Sequence, residues 1–386
     1  MIKKATSTDQ ELVEELNEDF EGELGDDLGQ ISISSRDWTV ETIVSQIKSQ
    51  NIDLNPSFQR RNAWNDTKRS RLIESLIWGI PVPQIVLAEN KDRPRSFIVI
   101  DGKQRLLTIA GFIDPTIDYW KNPVLRDLQQ FVDLNGVTAK QLAENPTYNE
   151  HYRNLMNADI RCTIISNYDK DDLLYEIFLR MNTASTQLST QELRQVLCRG
   201  WAADWLITTT AVNQPIHEVL GIEDSDMRLV DVEILLRCIC TDSFADSYSG
   251  NMKSFLDGSL KSMNKSWDKK KLDSVYARIN KGINRLIKVM DVKNIGRKAS
   301  QGKFEGRFNR ALFEVQQYYF SRLPLQPSAA QKAAFNNRFI TWFENNPEFR
   351  ESVESTTKSI ERTEIRFRTF GKFINSTFRT RIASPF

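Results

Sequence analysis

Hydrophobic positions in the first half of the chain alternate between short strand-like runs and helical stripes. Apolar runs predict strands over residues 31–34, 84–88, 96–100 and 159–166, and helices over residues 40–50 and 171–182. A further helix is expected between the cap Asn65-Asp66-Thr67 and Gly79, because Leu72, Ile73, Leu76 and Ile77 share one face. This pattern predicts a small sheet surrounded by helices.

Strand signals almost vanish after residue 200. The apolar periodicity predicts helices over residues 231–241, 267–290, 309–322, 329–345 and 360–378, with Pro324 and Pro327 between two of them. We therefore expect an α+β chain of 386 residues with three parts. These are a leader over residues 1–30, an α+β domain over residues 31–200 and an all-helical domain over residues 201–386.

Charge is distributed unevenly, although the net charge is only +1. Residues 1–30 hold ten acidic residues and two lysines, which gives −8, and residues 297–386 hold sixteen Lys and Arg and eight Glu, which gives +8. The leader is either a solvated, partly disordered extension or a tail that covers a basic groove and competes with nucleic acid. The alternation of Phe and Arg over residues 366–381 fits either a nucleic-acid-binding segment or an amphipathic helix with core phenylalanines.

Several function classes lose support from the motifs that the sequence lacks. Cys162, Cys198, Cys238 and Cys240 have neither zinc nor redox spacing, so we expect buried thiols of a cytoplasmic protein. No apolar run reaches membrane-spanning length and no signal-peptide core is present, which predicts no membrane partner. A phosphate-binding loop of the GxxxxGK[ST] type is missing, and His151 and His217 lie in no metalloprotease or zinc motif.

The most informative stretch is Asp101-Gly102-Lys103-Gln104-Arg105, which joins the apolar run 97–100 to the helix-like run 106–112. A strand that restarts as a helix at a glycine leaves backbone N–H groups pointing at one spot, where the helix dipole favours an anion. Lys103 and Arg105 add full charges suited to phosphate. Asp101 is expected to hold Arg105, to bind a metal or to position a water.

Neighbouring motifs carry a family resemblance. Pro56-Ser57-Phe58-Gln59-Arg60-Arg61-Asn62-Ala63-Trp64 precedes the turn, and Ile177-Phe178-Leu179-Arg180-Met181-Asn182 and Leu188-Ser189-Thr190-Gln191-Glu192-Leu193-Arg194 follow it. In order and spacing, residues 35–200 resemble the N-terminal domain of GmrSD-type restriction endonucleases, which is related to ParB partition proteins and to sulfiredoxin. The family usually has Gln where this chain has Lys103. The resemblance implies a ParB-like fold.

The resemblance also implies a nucleotide site. Carried over by position, Gly102 and Arg105 are expected to bind phosphate together with Gln59, Arg60, Arg61, Arg180 and Asn182. Lys103, which departs from the family, and Arg194 are further candidates for the same site. Asp101 and Gln104 are the candidate catalytic residues, Asp101 as a Mg²⁺ ligand and Gln104 to orient water. Two candidates have structural alternatives: Glu192 forms a capping box with Ser189, and Trp64 either stacks on a base or packs the first long helix.

These features predict a nucleotide-binding, NTP-hydrolysing module of a bacterial restriction or anti-phage system, with DNA and a defence protein as partners. Members of the resembling family often carry a His-Asn-His-type nuclease in a following domain, and this chain has no histidine after His217. Two alternatives stay open. The same pocket serves a DNA-binding or nicking protein through DNA phosphate, or the chain is a non-catalytic interaction subunit.

Overall fold

The computed structural model describes residues 31–54, 64–168, 173–174, 177 and 189–386, apart from residues 92, 118, 224, 227, 325, 356 and 358. The side chains of residues 193 and 196 also lie outside the described part. The chain divides into two compact units, and the division lies between Leu188 and Ser189. The predicted leader and most of the predicted helix over residues 171–182 lie outside the described residues.

The first unit is an α+β unit built around one sheet. Its strands are β1 (Ser32–Thr39), β2 (Ile52–Asp53), β3 (Ile85–Glu89), β4 (Phe97–Asp101) and β5 (Asp159–Ser166). Its helices are α1 (Val40–Lys48), α2 (Asp66–Trp78), α3 (Lys103–Ile113), α4 (Ala139–Glu144) and α5 (Asn149–Asn157). Short 3₁₀ turns lie at Pro115–Ile117 and Val132–Leu134. The predicted α+β class is confirmed.

The five strands form a mixed sheet in the order β1-β5-β3-β4-β2. The pairs β1–β5 and β3–β4 are antiparallel, whereas β3–β5 and β2–β4 are parallel. The predicted strand before α1 is an edge strand, and it runs to Thr39 with Ser32 paired to Ser166. Because β4 has β3 on one side and the two-residue β2 on the other, the turn that follows Asp101 lies near one edge of the sheet.

Helix α2 begins and ends where local chemistry predicts. The side chain of Asn65 accepts from Lys68 N–H, and Gly79 ends the helix in the left-handed conformation at φ 78°. The buried carboxylate of Glu74 accepts three backbone N–H groups, from Gln129, Gln130 and Phe131, at 2.7–3.1 Å. The helix thereby fixes the loop that crosses it, since a buried carboxylate needs such donors.

The second unit is mainly helical. Its helices are α6 (Thr190–Leu197), α7 (Trp201–Thr210), α8 (Pro215–Leu220), α9 (Val230–Ser243), α10 (Met252–Ser266), α11 (Lys269–Val289), α12 (Arg310–Arg322), α13 (Ala329–Glu344), α14 (Pro347–Glu354) and α15 (Ile360–Phe378). The prediction of one helix over residues 267–290 misplaces its start, because Trp267 ends α10 and the side chain of Asp268 caps α11.

A β-hairpin interrupts this helical unit, which the sequence pattern did not predict. Strands β6 (Arg297–Ser300) and β7 (Lys303–Phe308) pair antiparallel across Gln301 and Gly302, both at positive φ. The strands contain charged residues and little alternation, so periodicity gave no strand signal. The hairpin is held by tertiary contacts, including the backbone N–H of Gly302 to Glu344 at 2.7 Å.

The phenylalanines of α15 belong to the core. Phe367, Phe370 and Phe373 are buried and pack in an aromatic cluster with residues of α12 and α13. Arg366 is also buried, at 1 % exposure, and donates to the carbonyl oxygens of Ser352 and Thr357. The phenylalanines are therefore core residues, as the amphipathic-helix interpretation predicted, but Arg366 is buried rather than facing water and is not available to a nucleic-acid phosphate.

None of the four cysteines forms a disulfide, and all four are buried. Burial raises the pKa of Cys162 and of Cys240 to about 12, which suppresses the reactive thiolate. Within the described ranges, no helix combines the length and the apolar character that a membrane span requires.

Candidate functional site

The candidate site is the turn between β4 and α3. Gly102 is the N-cap of α3 and adopts φ 92°, a conformation that L-residues rarely take. A Cβ atom at this position would lie 2.6 Å from Ile85 Cδ1 and 3.1 Å from Arg105 Nη2. Glycine is therefore required here for two reasons, the backbone conformation and the close approach of the neighbouring side chains.

Arg105 lies across this turn. Its Nη2 donates to Asp101 Oδ2 and to the backbone carbonyl of Gln84, both at 2.9 Å. The side chain is only 12 % exposed, and its buried Nε–H donates to no described residue. The ion pair with Asp101 is one of the three roles expected for that carboxylate. The ion pair holds the guanidinium of Arg105 in place and leaves some of its N–H groups free to donate to another acceptor.

Gln84 and Thr163 anchor the same arrangement from the sheet. The Gln84 carbonyl accepts from Arg105, while its side-chain Oε1 accepts from Thr163 Oγ1 at 3.0 Å. Gln84 directly precedes β3, and Thr163 lies on β5, so the two strands are bridged beside the turn. Sequence reasoning missed both residues. The only local signal was the position of Gln84, directly after Pro81-Val82-Pro83.

Gln104 is oriented by a tyrosine from a later part of the chain. Its Oε1 accepts from the hydroxyl of Tyr119 at 2.5 Å, and its Nε2 makes no hydrogen bond to a described residue. Tyr119 is 5 % exposed, with the guanidinium of Arg69 5.0 Å from its ring. Burial raises the pKa of Tyr119 well above its ordinary value, opposed in part by Arg69, so the hydroxyl stays a donor at neutral pH.

The first turn of α3 has free capping capacity. No side chain caps its N-terminus, whereas α1, α2 and α11 are capped by Thr39, Asn65 and Asp268. The backbone N–H groups at the start of an uncapped helix need acceptors, and the dipole favours an anion there. Lys103 and Gln104, both half-buried, stand in this turn beside Arg105. The arrangement is therefore chemically suited to bind phosphate or carboxylate oxygens.

Metal binding by protein ligands alone is not supported in the described residues. They contain no group of three or more His, Cys, Asp or Glu side chains that could hold a metal ion. Asp101 is a single carboxylate with 29 % of its side chain exposed. Mg²⁺ in nucleotide sites is commonly held by one or two carboxylates together with substrate phosphates, so one carboxylate fits that donor set.

The other predicted ligands lie either outside the described residues or in the helical unit. Gln59, Arg60, Arg61, Arg180 and Asn182 lie outside the described residues, so their placement stays a prediction. Arg194 lies on α6 in the helical unit. Its side chain is 2 % exposed, and Nε donates to Asp257 at 2.6 Å. These contacts give Arg194 a structural role within that unit.

The remaining candidates have structural roles as well. Glu192 forms the predicted capping box with Ser189, which stabilises the start of α6. Trp64 is partly buried and packs against the hydrophobic core, with Lys68 Nζ 4.5 Å from its ring. His217 is fully buried, accepts from Gln214 N–H through Nδ1, and pairs with Asp231 through Nε2 at 2.9 Å.

Comparison with known proteins identifies the domain that carries the turn. No curated protein and no solved structure was found to match the chain. The family model described as the N-terminal domain of GmrSD restriction endonuclease matches residues 40–198. This range contains β3, β4, α3 and the whole candidate turn. Residues 40–198 are therefore similar to the N-terminal domain of GmrSD restriction endonuclease, the family that the sequence motifs resemble.

Proposed function

We propose that the turn from Asp101 to Arg105 binds the phosphates of a nucleoside triphosphate in a restriction-type defence protein. The observation that carries this proposal is the guanidinium of Arg105, which is held beside the uncapped start of α3. It is pinned by Asp101 and Gln84, yet its buried Nε–H has no partner among the described residues. A buried donor without an acceptor costs about 1–3 kcal/mol, and such a cost is commonly retained at binding sites.

Further donors lie in the first turn of α3, which also contains Arg105. The uncapped N–H groups of α3 and the Nε2 amide of Gln104 supply neutral donors, and Lys103 supplies a second positive charge beside Arg105. The side-chain oxygen of Gln104 already accepts from the Tyr119 hydroxyl. The remaining amide NH₂ group is therefore better suited to donate to a phosphate than to orient a water. Each charge-assisted contact contributes about 1.5–3 kcal/mol, which corresponds to roughly tenfold to a hundredfold in affinity.

Mg²⁺ enters this proposal through Asp101. Its carboxylate would hold the ion together with phosphate oxygens, and the ion would neutralise phosphate charge. The same carboxylate pairs with Arg105, so its two roles make different predictions. The proposal includes hydrolysis of the bound triphosphate as a second step, which also requires an oriented water. The proposed setting is cytoplasmic, with DNA and a defence protein as partners.

The test is thermal melting of the full chain with each of the four ribonucleoside triphosphates and Mg²⁺. A ligand at a hundred times its dissociation constant stabilises by about 2.7 kcal/mol. We expect a shift of several degrees with at least one nucleotide and a lost or much smaller shift for Arg105→Ala. Arg161→Ala is the matched control, because it also removes an arginine–aspartate pair from the same unit. An equal loss in both variants, or no shift in the wild type, would refute the proposal.

Asp101→Asn separates the two roles of the carboxylate. If Asp101 holds Mg²⁺, the variant loses the dependence of nucleotide binding on Mg²⁺. If it only holds Arg105, affinity falls while the dependence on Mg²⁺ is kept. Steeply salt-dependent DNA binding that is lost in Arg105→Ala, without any nucleotide response, would instead favour a pocket for DNA phosphate.

A further inference from the structure

A polar groove crosses the surface of the helical unit between α13, the start of α14 and α15. It has a volume of about 730 Å³ and is lined by polar, aromatic and basic side chains. Two of its residues are cations, Arg338 on α13 and Lys372 on α15, and its lining contains no carboxylate. Both cations are exposed, and neither makes an ion pair or a hydrogen bond with another described residue.

The amide side chains of the groove have a consistent orientation. Asn345 Nδ2 donates to the carbonyl of Thr341 at 2.9 Å, and Asn346 Nδ2 donates to the carbonyl of Trp342 at 2.6 Å. Each amide thus satisfies a carbonyl at the end of α13 and keeps its Oδ1 as an acceptor. Acceptors of this kind complement the amino and imino N–H groups of nucleobases, whereas they do not attract an anion.

The floor of the groove is aromatic and rigid. Trp342 stacks on Phe373 with ring centroids 4.5 Å apart, and Phe373 is buried. Cations for phosphate, acceptors for base edges and an aromatic floor are the combination found in grooves for single strands. A groove of this volume holds about one or two nucleotides, and a paired duplex would hide the base edges that the amides match.

We propose that this groove binds a single strand of nucleic acid, with its phosphates at Arg338 and Lys372 and its bases against Asn345, Asn346 and Trp342. An acidic peptide would satisfy the two cations equally well, and its backbone N–H groups could reach the amide oxygens, but its acidic side chains have no flat ring to stack on Trp342. The proposal concerns a second site, separate from the nucleotide site at Arg105, and each site can be lost by substitution without the other. A strand site survives Arg105→Ala, and a nucleotide site survives changes in the groove.

The test measures fluorescence anisotropy of a labelled 20-nucleotide single strand with the full chain, over a series of salt concentrations. We expect Arg338→Glu/Lys372→Glu to weaken binding by at least about tenfold at low salt. The slope of log affinity against log salt should fall by roughly 1.4, because each phosphate contact on a single strand contributes about 0.7. The matched control is Lys281→Glu/Lys288→Glu, which makes the same charge change at exposed positions on α11.

Two further probes test the role of the bases. A strand of abasic sites keeps the phosphates and should bind several-fold more weakly than the normal strand, and a duplex of the same length should also bind more weakly. The proposal is overturned if the wild type binds no strand, or if the control variant loses as much affinity as the groove variant. Equal affinity for the abasic strand, or tighter binding of the duplex through the same two residues, overturns it as well.

Discussion

Gly102→Ala tests whether the turn after β4 is built as the structure indicates. The left-handed φ of 92° costs an alanine about 1–2 kcal/mol. The added Cβ would also meet Ile85 Cδ1 at 2.6 Å, well inside ordinary carbon–carbon contact, and Ile85 is fully buried. Moving a packed side chain out of its rotamer costs about 1–3 kcal/mol more. We therefore expect a loss of about 2–5 kcal/mol in the free energy of unfolding.

Gly136→Ala is a matched control for the backbone term alone. Gly136 has φ 88°, and a Cβ there would have no neighbour within 4 Å. The free energy of unfolding of Gly136→Ala should fall by only about 1–2 kcal/mol. Thermal melts followed by near-ultraviolet circular dichroism would compare the two variants, since a loss of 1 kcal/mol lowers Tm by about 2–4 °C in a unit of this size.

Gly102→Ala should also affect nucleotide binding. The Cβ would lie 3.1 Å from Arg105 Nη2, so the guanidinium must shift by a few tenths of an ångström, which disturbs its hydrogen bonds to Asp101 and Gln84. Gly102→Ala should therefore reduce the nucleotide-dependent rise in Tm, whereas Gly136→Ala should keep it. The reasoning is refuted if the two variants lose equal stability, or if Gly102→Ala keeps the full nucleotide response.

Three other predictions concern separate groups. Tyr119→Phe removes the donor that orients Gln104 and should weaken nucleotide binding by about threefold to tenfold, as titration calorimetry would measure; unchanged affinity would contradict it. Burial raises the pKa of Asp242, but hydrogen bonds from Arg278 and the charge of Arg322 outweigh it and hold the pKa below its usual range. Its stabilisation is thus present above about pH 4 and is lost as pH falls through the lowered folded-state pKa. Asp242→Asn should cost about 1–3 kcal/mol at pH 7 in urea unfolding and progressively less as the pH falls below about 4, and a loss independent of pH would exclude this explanation. The four cysteines should resist a thiol reagent in the native protein and react after denaturation, and rapid labelling of any of them in the native state would show that its burial is misjudged.

Local sequence patterns determined much of the secondary structure. The strand Asp159–Ser166 and the helix Ile360–Phe378 lie where the pattern predicted them. The cap at Asn65 and the capping box of Ser189 and Glu192 were also predicted, because such signals act within one turn of chain. The glycine turn at Gly102 was found for the same reason, since strand, glycine and helix follow one another directly in the sequence.

Only the tertiary structure decided how side chains distant in sequence come together. Tyr119 reaches Gln104 across 15 positions, and Arg194 reaches Asp257 across 63. No periodic pattern encodes these pairs, because the folded backbone brings the two partners together. The groove at Arg338 and Lys372 has the same origin, because it joins residues of α13 and α15 with the link that follows α13. Sequence thus determined most of the helices and strands and the glycine turn at Gly102, while packing decided which charged groups stay buried in pairs and which remain exposed.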